Sequence, residues 1–282
     1  MKNSISFRCL LLVGQRGAVI FSILTALWLA TSCSAPSTPA VTTSRPSTVS
    51  LPVSAPFEVP SPPATPGHVP AFDAQVRRQY AALGAQQQGL RYELFEQALT
   101  GYLNLRRQGK APAEPQRLAV IDFDLPSTEK RLWVLDLANN QVLFRTLVAH
   151  GNNSGQREAT RFSNTNNSHM SSLGFYVTGS TYVGKHGRSL RLNGLDAGFN
   201  SNAAARAIVV HGASYVSQAI IQQTGRLGRS QGCPALPLDL YEPIIDSLQN
   251  GAALFIYKSD AGYTSPYLDE QAASAMMGGL SS

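Results

Sequence analysis

The chain has 282 residues, 43% of them apolar, enough for a sizeable buried core, while only 14% are charged. Its formal charge of +6 includes Lys2, Arg8 and Arg16, so a chain lacking that start carries about +3, too weak a balance for a nucleic-acid partner. A mild positive balance still suits an anionic polymer, and abundant Ser, Thr, Asn, Gln, Gly and Pro fit an exported β-rich protein better than a cytosolic helical one.

Residues 1–33 read as a signal peptide. Lys2, Arg8 and Arg16 precede the uncharged run Ala18 to Ala30, which has the length of a secretory apolar segment and is too short to span a bilayer. Leu29-Ala30-Thr31-Ser32-Cys33 then resembles a bacterial lipobox, with the leucine one step earlier than usual. That resemblance implies lipidation of Cys33 and an N-terminal membrane anchor, and Ser34 after it points to the outer membrane. Residues 34–71 contain ten prolines and almost no charge, so they form neither helix nor sheet and are expected to act as a tether.

Residues 72–116 are expected to form a helical brace. Asp73 is a candidate N-cap for a helix through Leu83, and Leu90, Leu94, Ala98 and Tyr102 recur at four-residue steps in a second helix. Gly101 weakens that second helix, and Gly109 with Pro112 ends it. Over 117–258 the texture becomes short apolar runs, read as strands at Leu118 to Phe123, Arg131 to Leu137, Val142 to Ala149, Gly174 to Thr178, Ser189 to Leu195, Ala207 to Val210 and Ala252 to Tyr257. Asn139-Asn140 marks a hairpin turn. One helix is expected here, Asp239 to Leu248, capped by Asp239 and Glu242. Residues 259–282 carry no strong pattern and are expected to fray from Ala272.

The chemistry concentrates where Ala207-Ile208-Val209-Val210 ends in His211-Gly212, twenty-two positions before Cys233 in Ser230-Gln231-Gly232-Cys233-Pro234. A cysteine nucleophile needs a neighbouring base, and a histidine at a strand end is rigidly held yet accessible. Glycine before the cysteine admits a substrate carbonyl close to the backbone, where the N–H groups of Gln231, Gly232 and Cys233 are candidates for an oxyanion hole. His150 ends another strand before a polar loop and is a candidate for lining the site. Arg226, Arg229 and Ser230 are candidates for binding substrate, and Arg226 and Arg229 also for lowering the Cys233 pKa. His169 and His186 are expected on surface loops. Any group orienting His211 is expected to be a backbone carbonyl, because Gly212 offers no side chain.

These residues resemble the L,D-transpeptidase (YkuD-like) catalytic domain, whose hallmark is His-Gly on a strand followed by a Ser-x-Gly-Cys turn. Ala149-His150-Gly151, Arg161-Phe162-Ser163-Asn164, Ser171-Ser172-Leu173-Gly174, Ser189-Leu190-Arg191-Leu192 and Gly228 to Pro237 extend the resemblance across roughly Leu90 to Tyr257. It implies a mainly β fold, a sandwich or barrel of mixed strands with N-terminal helices and one C-terminal helix. It also implies a cofactor-free enzyme of the periplasm or cell envelope. Cys233 would attack the diaminopimelate carbonyl of a peptidoglycan tetrapeptide stem, releasing D-alanine, while His211 takes the thiol proton. Gln231, where a histidine often stands, and Pro234-Ala235 depart from the commoner pattern and bear on the acceptor: an amine gives a cross-link, water a carboxypeptidase. A non-catalytic wall-binding lipoprotein is the rival of another class. A metal hydrolase using His150, His169, His186, His211 and Cys233 lacks any His-x-x-x-His or Cys-x-x-Cys spacing.

Overall fold

A computed structural model describes residues 69–259 and 262–277; the expected signal peptide, Cys33 and nearly all of the expected tether lie outside them. Helix α1 spans Pro70–Ala82, so Pro70 is the first residue of a helix rather than part of a tether, a position where its missing N–H costs nothing. Its N-cap is Val69, without a side-chain cap, and Asp73 instead sits in the first turn, bonded to Arg77 Nε at 3.0 Å and to the Tyr92 hydroxyl at 2.5 Å. Helix α2 spans Tyr92–Arg107. The strands follow in chain order: β1 Arg117–Asp122, β2 Leu132–Asp136, β3 Gln141–Thr146, β4 Gly174–Gly184, β5 Gly187–Gly194 and β6 Val209–Gly212. After helix α3 (Gln218–Thr224) come β7 Ala235–Leu236, helix α4 Tyr241–Leu248, β8 Ala253–Tyr257 and helix α5 Glu270–Ser274.

The strands make one mixed eight-stranded sheet in the order β3-β2-β1-β8-β4-β5-β6-β7. Asn140, at φ 51, turns the β2–β3 hairpin as expected of an asparagine in the left-handed region. β1 runs parallel to β8, and β6 parallel to β7; the other pairs are antiparallel. The chain leaving β3 reaches Ala149, which bridges Ala235 of β7, its N–H donating at 2.9 Å and its carbonyl accepting at 3.5 Å. The two edges of the sheet therefore meet, giving a nearly closed barrel of mixed strands with few helices, in line with the expected fold class.

Side chains alternate across each strand, so the sheet has two apolar faces. Ala119, Ile121, Val134, Leu190, Val210 and Ile256 fill the inside together with Ile244, Ile245 and Leu248 of α4. Leu118, Val120, Trp133, Leu135, Phe175 and Phe255 pack outward against α1 and α2. The α4 cap expected from Asp239 and Glu242 does not form: the N-cap is Leu240, and the Pro237 carbonyl accepts the Leu240 and Tyr241 N–H groups instead. Helix α3 escaped the sequence because it buries no residue and so leaves no apolar stripe to read.

The C-terminal segment, expected to fray from Ala272, is docked as far as Met277. Asn104 Nδ2 donates to the carbonyls of Tyr267 and Asp269, both at 2.8 Å, and Tyr267, Ala273 and Met277 join the outer core. The Asp196 carboxylate ties the same segment to the sheet, accepting from the Phe175 N–H at 2.6 Å, the Tyr263 hydroxyl at 2.8 Å and the Ser265 hydroxyl at 2.7 Å. Small residues hid this docking because it depends on hydrogen bonds from partners distant in sequence.

Gly101, read as a weakness of α2, is a packing device. A Cβ there would lie 2.0 Å from Phe175 Cζ, and Phe175 is itself stacked on Phe255 at 4.2 Å. Alanine would favour the helix by ~1 kcal/mol, but displacing a fully buried aromatic stack costs on the order of 3 kcal/mol. Gly101→Ala should therefore lower the urea midpoint of unfolding, contrary to helix propensity; a raised midpoint would show the stack yields easily.

Candidate active site

β6 is held on both sides, His211 pairing in register with Ser189 of β5 and Ala235 of β7. This double pairing leaves His211 only 2% exposed at the strand end, with its Nδ1 2.9 Å from the Gly212 carbonyl. A carbonyl accepts and never donates, so Nδ1 carries the proton and Nε2 keeps the lone pair. The orienting group is thus a backbone carbonyl, that of the very next residue. Burial lowers the His211 pKa; the Gly212 carbonyl opposes the shift, and the charges of His186 and Lys185 add to it.

The turn carrying Cys233 is built by Ser230. Its hydroxyl donates to the Cys233 carbonyl at 2.6 Å and accepts the Gly232 N–H at 3.0 Å, while its own N–H donates to the His150 carbonyl at 3.0 Å. Gly232 adopts φ +120, and a Cβ there would lie 2.7 Å from the Met170 carbonyl oxygen, so both conformation and space require glycine. Of the three expected oxyanion donors, the Gly232 N–H is therefore already engaged. The N–H groups of Gln231 and Cys233 make no hydrogen bond among the described residues.

Half-buried Cys233 receives the Val209 N–H at 3.4 Å on Sγ and lies 3.7 Å from the Ala207 carbonyl, whose residue adopts the left-handed φ of 52. Burial pushes the Cys233 thiol up; the Val209 N–H and the charges of Arg206 and Lys185 pull against it. A raised thiol and a lowered imidazole rest as a neutral pair at neutral pH rather than as thiolate and imidazolium. Among the described residues no hydrogen bond joins Sγ to His211, but both line one cavity of ≈ 540 Å³.

Of the other expected residues, Arg229, Ser230 and Gln231 line this cavity; His150 and Arg226 do not. Arg229 donates to the carbonyls of Asn152 and Gly155 at 3.1 and 3.0 Å, and Arg226 to that of Leu227 at 2.7 Å. His150 is buried, its Nδ1 accepting from Arg131 Nη2 at 2.8 Å, and Arg131 also donates to the carbonyls of Val148 and Leu125.

Sequence reasoning undervalued the rest of the cavity wall. His169 and His186, expected on surface loops, both line it, and the His186 ring stacks on His211 with centroids 4.5 Å apart. His186 sits beside Lys185 in the β4–β5 turn. Glycines at 184 and 187 signalled that turn, but only the register, with Ser189 opposite His211, brings its tip over the imidazole. Arg206 has no sequence signature, yet it holds the loop beside the Cys233 turn, donating to the carbonyls of Ser163 and Met170 at 2.6 Å each and to the Ser172 hydroxyl. No group of three or more potential metal ligands occurs among the described residues.

Burial, with Arg131 beside it, lowers the His150 pKa to about 3. In the unfolded chain His150 binds a proton below its ordinary 6.5, whereas the folded protein resists doing so until about pH 3, so stability falls as pH falls through that window. Between pH 7 and 4 this is worth on the order of 3 kcal/mol. His150→Gln, which preserves an acceptor for Arg131, should flatten the fall in urea midpoint over that range; an unchanged slope would assign the acid sensitivity elsewhere.

A family model described as L,D-transpeptidase catalytic domain matches residues 86–257. Among solved structures, the chain is similar to an L,D-transpeptidase from Mycobacterium smegmatis, with 13% identity and a TM-score of 0.33 over 51% of this chain and 59% of that one. It is also similar to an L,D-transpeptidase from Mycobacterium tuberculosis, with 12% identity and a TM-score of 0.31 over 51% of this chain and 58% of that one. The chain thus spans less than two thirds of the length of either structure. No curated protein matches it.

Proposed function

The chain belongs to the L,D-transpeptidase catalytic-domain family across residues 86–257, and from that membership we propose that it is a cysteine acyltransferase acting on peptidoglycan tetrapeptide stems. The observation that carries this reading is the meeting of Cys233, the buried imidazole of His211 and two unengaged N–H groups at one cavity.

In the proposed reaction, His211 Nε2 takes the Cys233 proton as Sγ attacks the diaminopimelate carbonyl. The tetrahedral oxyanion is met by the Gln231 and Cys233 N–H groups, while Ser230 holds Gly232 and fixes the turn. The carbon–nitrogen bond to D-alanine then breaks, its amine taking the proton from His211, and a thioester remains. An amine of a second stem attacks this thioester, His211 accepts the amine proton, the carbon–sulfur bond breaks and the proton returns to Cys233. Water in place of that amine gives the tripeptide.

Incubation of the protein with disaccharide tetrapeptide should yield a cross-linked dimer with loss of one D-alanine, identified by mass. Cys233→Ala should abolish it with little change in thermal unfolding, and His211→Ala should lower turnover by about 10²–10⁴-fold in protein that still unfolds cooperatively. Because His211 must be neutral to act and its pKa is lowered, the acid limb of kcat/KM should fall below the ordinary 6.5. A folded Cys233→Ala protein that still turns over would end this reading.

Export and lipid anchoring through Cys33 complete the proposal, placing the enzyme in the cell envelope beside its polymer; they rest on the sequence of residues 1–33 alone. Cys33→Ser should move the protein from membrane to soluble fractions without altering turnover of soluble fragments. Retention in the membrane would reject the lipid anchor and leave Cys233 untouched.

A further inference from the structure

The cavity is electrically one-sided. Lys185, Arg206 and Arg229 line it, and no Asp or Glu does. None of the three cations forms an ion pair among the described residues. The two guanidinium groups are not idle: Arg206 is spent on the loop carbonyls of Ser163 and Met170, and Arg229 on those of Asn152 and Gly155. Carbonyl oxygens satisfy their N–H groups without cancelling their charge, which stays as a background potential. Lys185 differs, since its ammonium makes no hydrogen bond within the described residues and it is exposed at the β4–β5 turn. It also adjoins His186, whose ring lies 4.5 Å from that of His211 in the same cavity. Its charge acts on both Cys233 and His211.

From this geometry we propose that Lys185 binds the free terminal carboxylate of the residue released from the donor stem. A carboxylate placed there lies one residue from the thioester-forming carbon, whereas a longer stem carries its terminal charge beyond that position. An ammonium on a flexible stem can follow such a group as a point charge without fixing its plane. The ion pair would form beside the catalytic histidine, and removing the carboxylate charge would remove that attraction.

This inference rests on the transpeptidase reading for the identity of the stem, and the test keeps the two apart. The probes are a tetrapeptide stem and the same stem with its terminal carboxylate converted to an amide, which removes one charge and leaves the attacked bond in place. Wild type should use the acid at least about tenfold better than the amide in kcat/KM, chiefly through KM. Lys185→Gln should lose about tenfold more on the acid than on the amide, any loss through Cys233 and His211 being common to both, and Lys185→Arg should retain most of the preference, since that tenfold corresponds to ~1.4 kcal/mol. The same two ligands titrated calorimetrically into Cys233→Ala and Cys233→Ala/Lys185→Gln read binding without turnover. Equal losses on acid and amide, in turnover or in binding, would overturn the assignment of Lys185. If wild type turns over neither stem, the transpeptidase reading fails, and the calorimetric comparison still decides the carboxylate site: a charge-dependent loss in the Lys185 variant supports it, and equal affinities reject it.

Discussion

Closure of the sheet at Ala149 and Ala235 is the contact on which the site depends. Those two residues exchange backbone hydrogen bonds, Ser230 N–H donates to the His150 carbonyl and Asn152 N–H donates to that of Ser230 at 2.7 Å, so the segment leaving β3 is laced to both ends of the nucleophile turn. Cys233 stands between the laced positions and cannot drift from β6 without breaking the barrel. The lacing segment has its own anchor in Arg131, a buried guanidinium that donates twice to the Val148 carbonyl and once to His150. A buried charge that forms no ion pair among the described residues is tolerated here because carbonyls, an imidazole and the Phe123 ring 4.8 Å away surround it, with Asp122 and Glu158 acting on it from farther off. His150 therefore shapes the active centre from behind, through its backbone carbonyl and its contact with Arg131.

The electrostatics of the site follow from the same packing. Burying the thiol and the imidazole suppresses the charged form of each, so reaction requires proton transfer between two groups that rest neutral. A resting neutral thiol is a poorer target for adventitious oxidation than a thiolate, because thiolate character governs that reactivity. The cations around the cavity pull the other way, favouring the thiolate once it forms and any anionic substrate that approaches.

Much of this fold was legible because β-strands with two apolar faces leave short runs of Val, Ile, Leu and Phe, as at Leu118 to Phe123 and Ala252 to Tyr257. β7, two residues long, and α3, with no buried face, carry too little pattern to be read. Helix starts were misjudged because Asp73 lies inside the first turn of α1, bonded to Arg77 and Tyr92, and because at α4 the Pro237 carbonyl takes the N–H groups of Leu240 and Tyr241. In the site, His211, Gly232 and Cys233 were legible from local geometry: a strand end, a required left-handed glycine and a turn. His186, Lys185 and Arg206 were not, since only strand register and the path of the chain between β5 and β6 bring them in. His150 had the same strand-end signature as His211 but faces the interior, and one sequence pattern cannot distinguish the two sides of a barrel wall.

The position of β8 carries a consequence for how the chain acquires its structure. β8 lies between β1 and β4 near the middle of the sheet, and Leu118 finds its parallel partner in Ala253, 135 positions later. The β1–β2–β3 meander can assemble early, but its inner edge stays open until the final part of the chain is available. Pairings of such long sequence separation form slowly and leave strand edges exposed while they wait. Folding of this domain is therefore gated by its C-terminal portion, and a polypeptide interrupted before residue 253 would lack the strand that joins the meander to the half bearing His211 and Cys233.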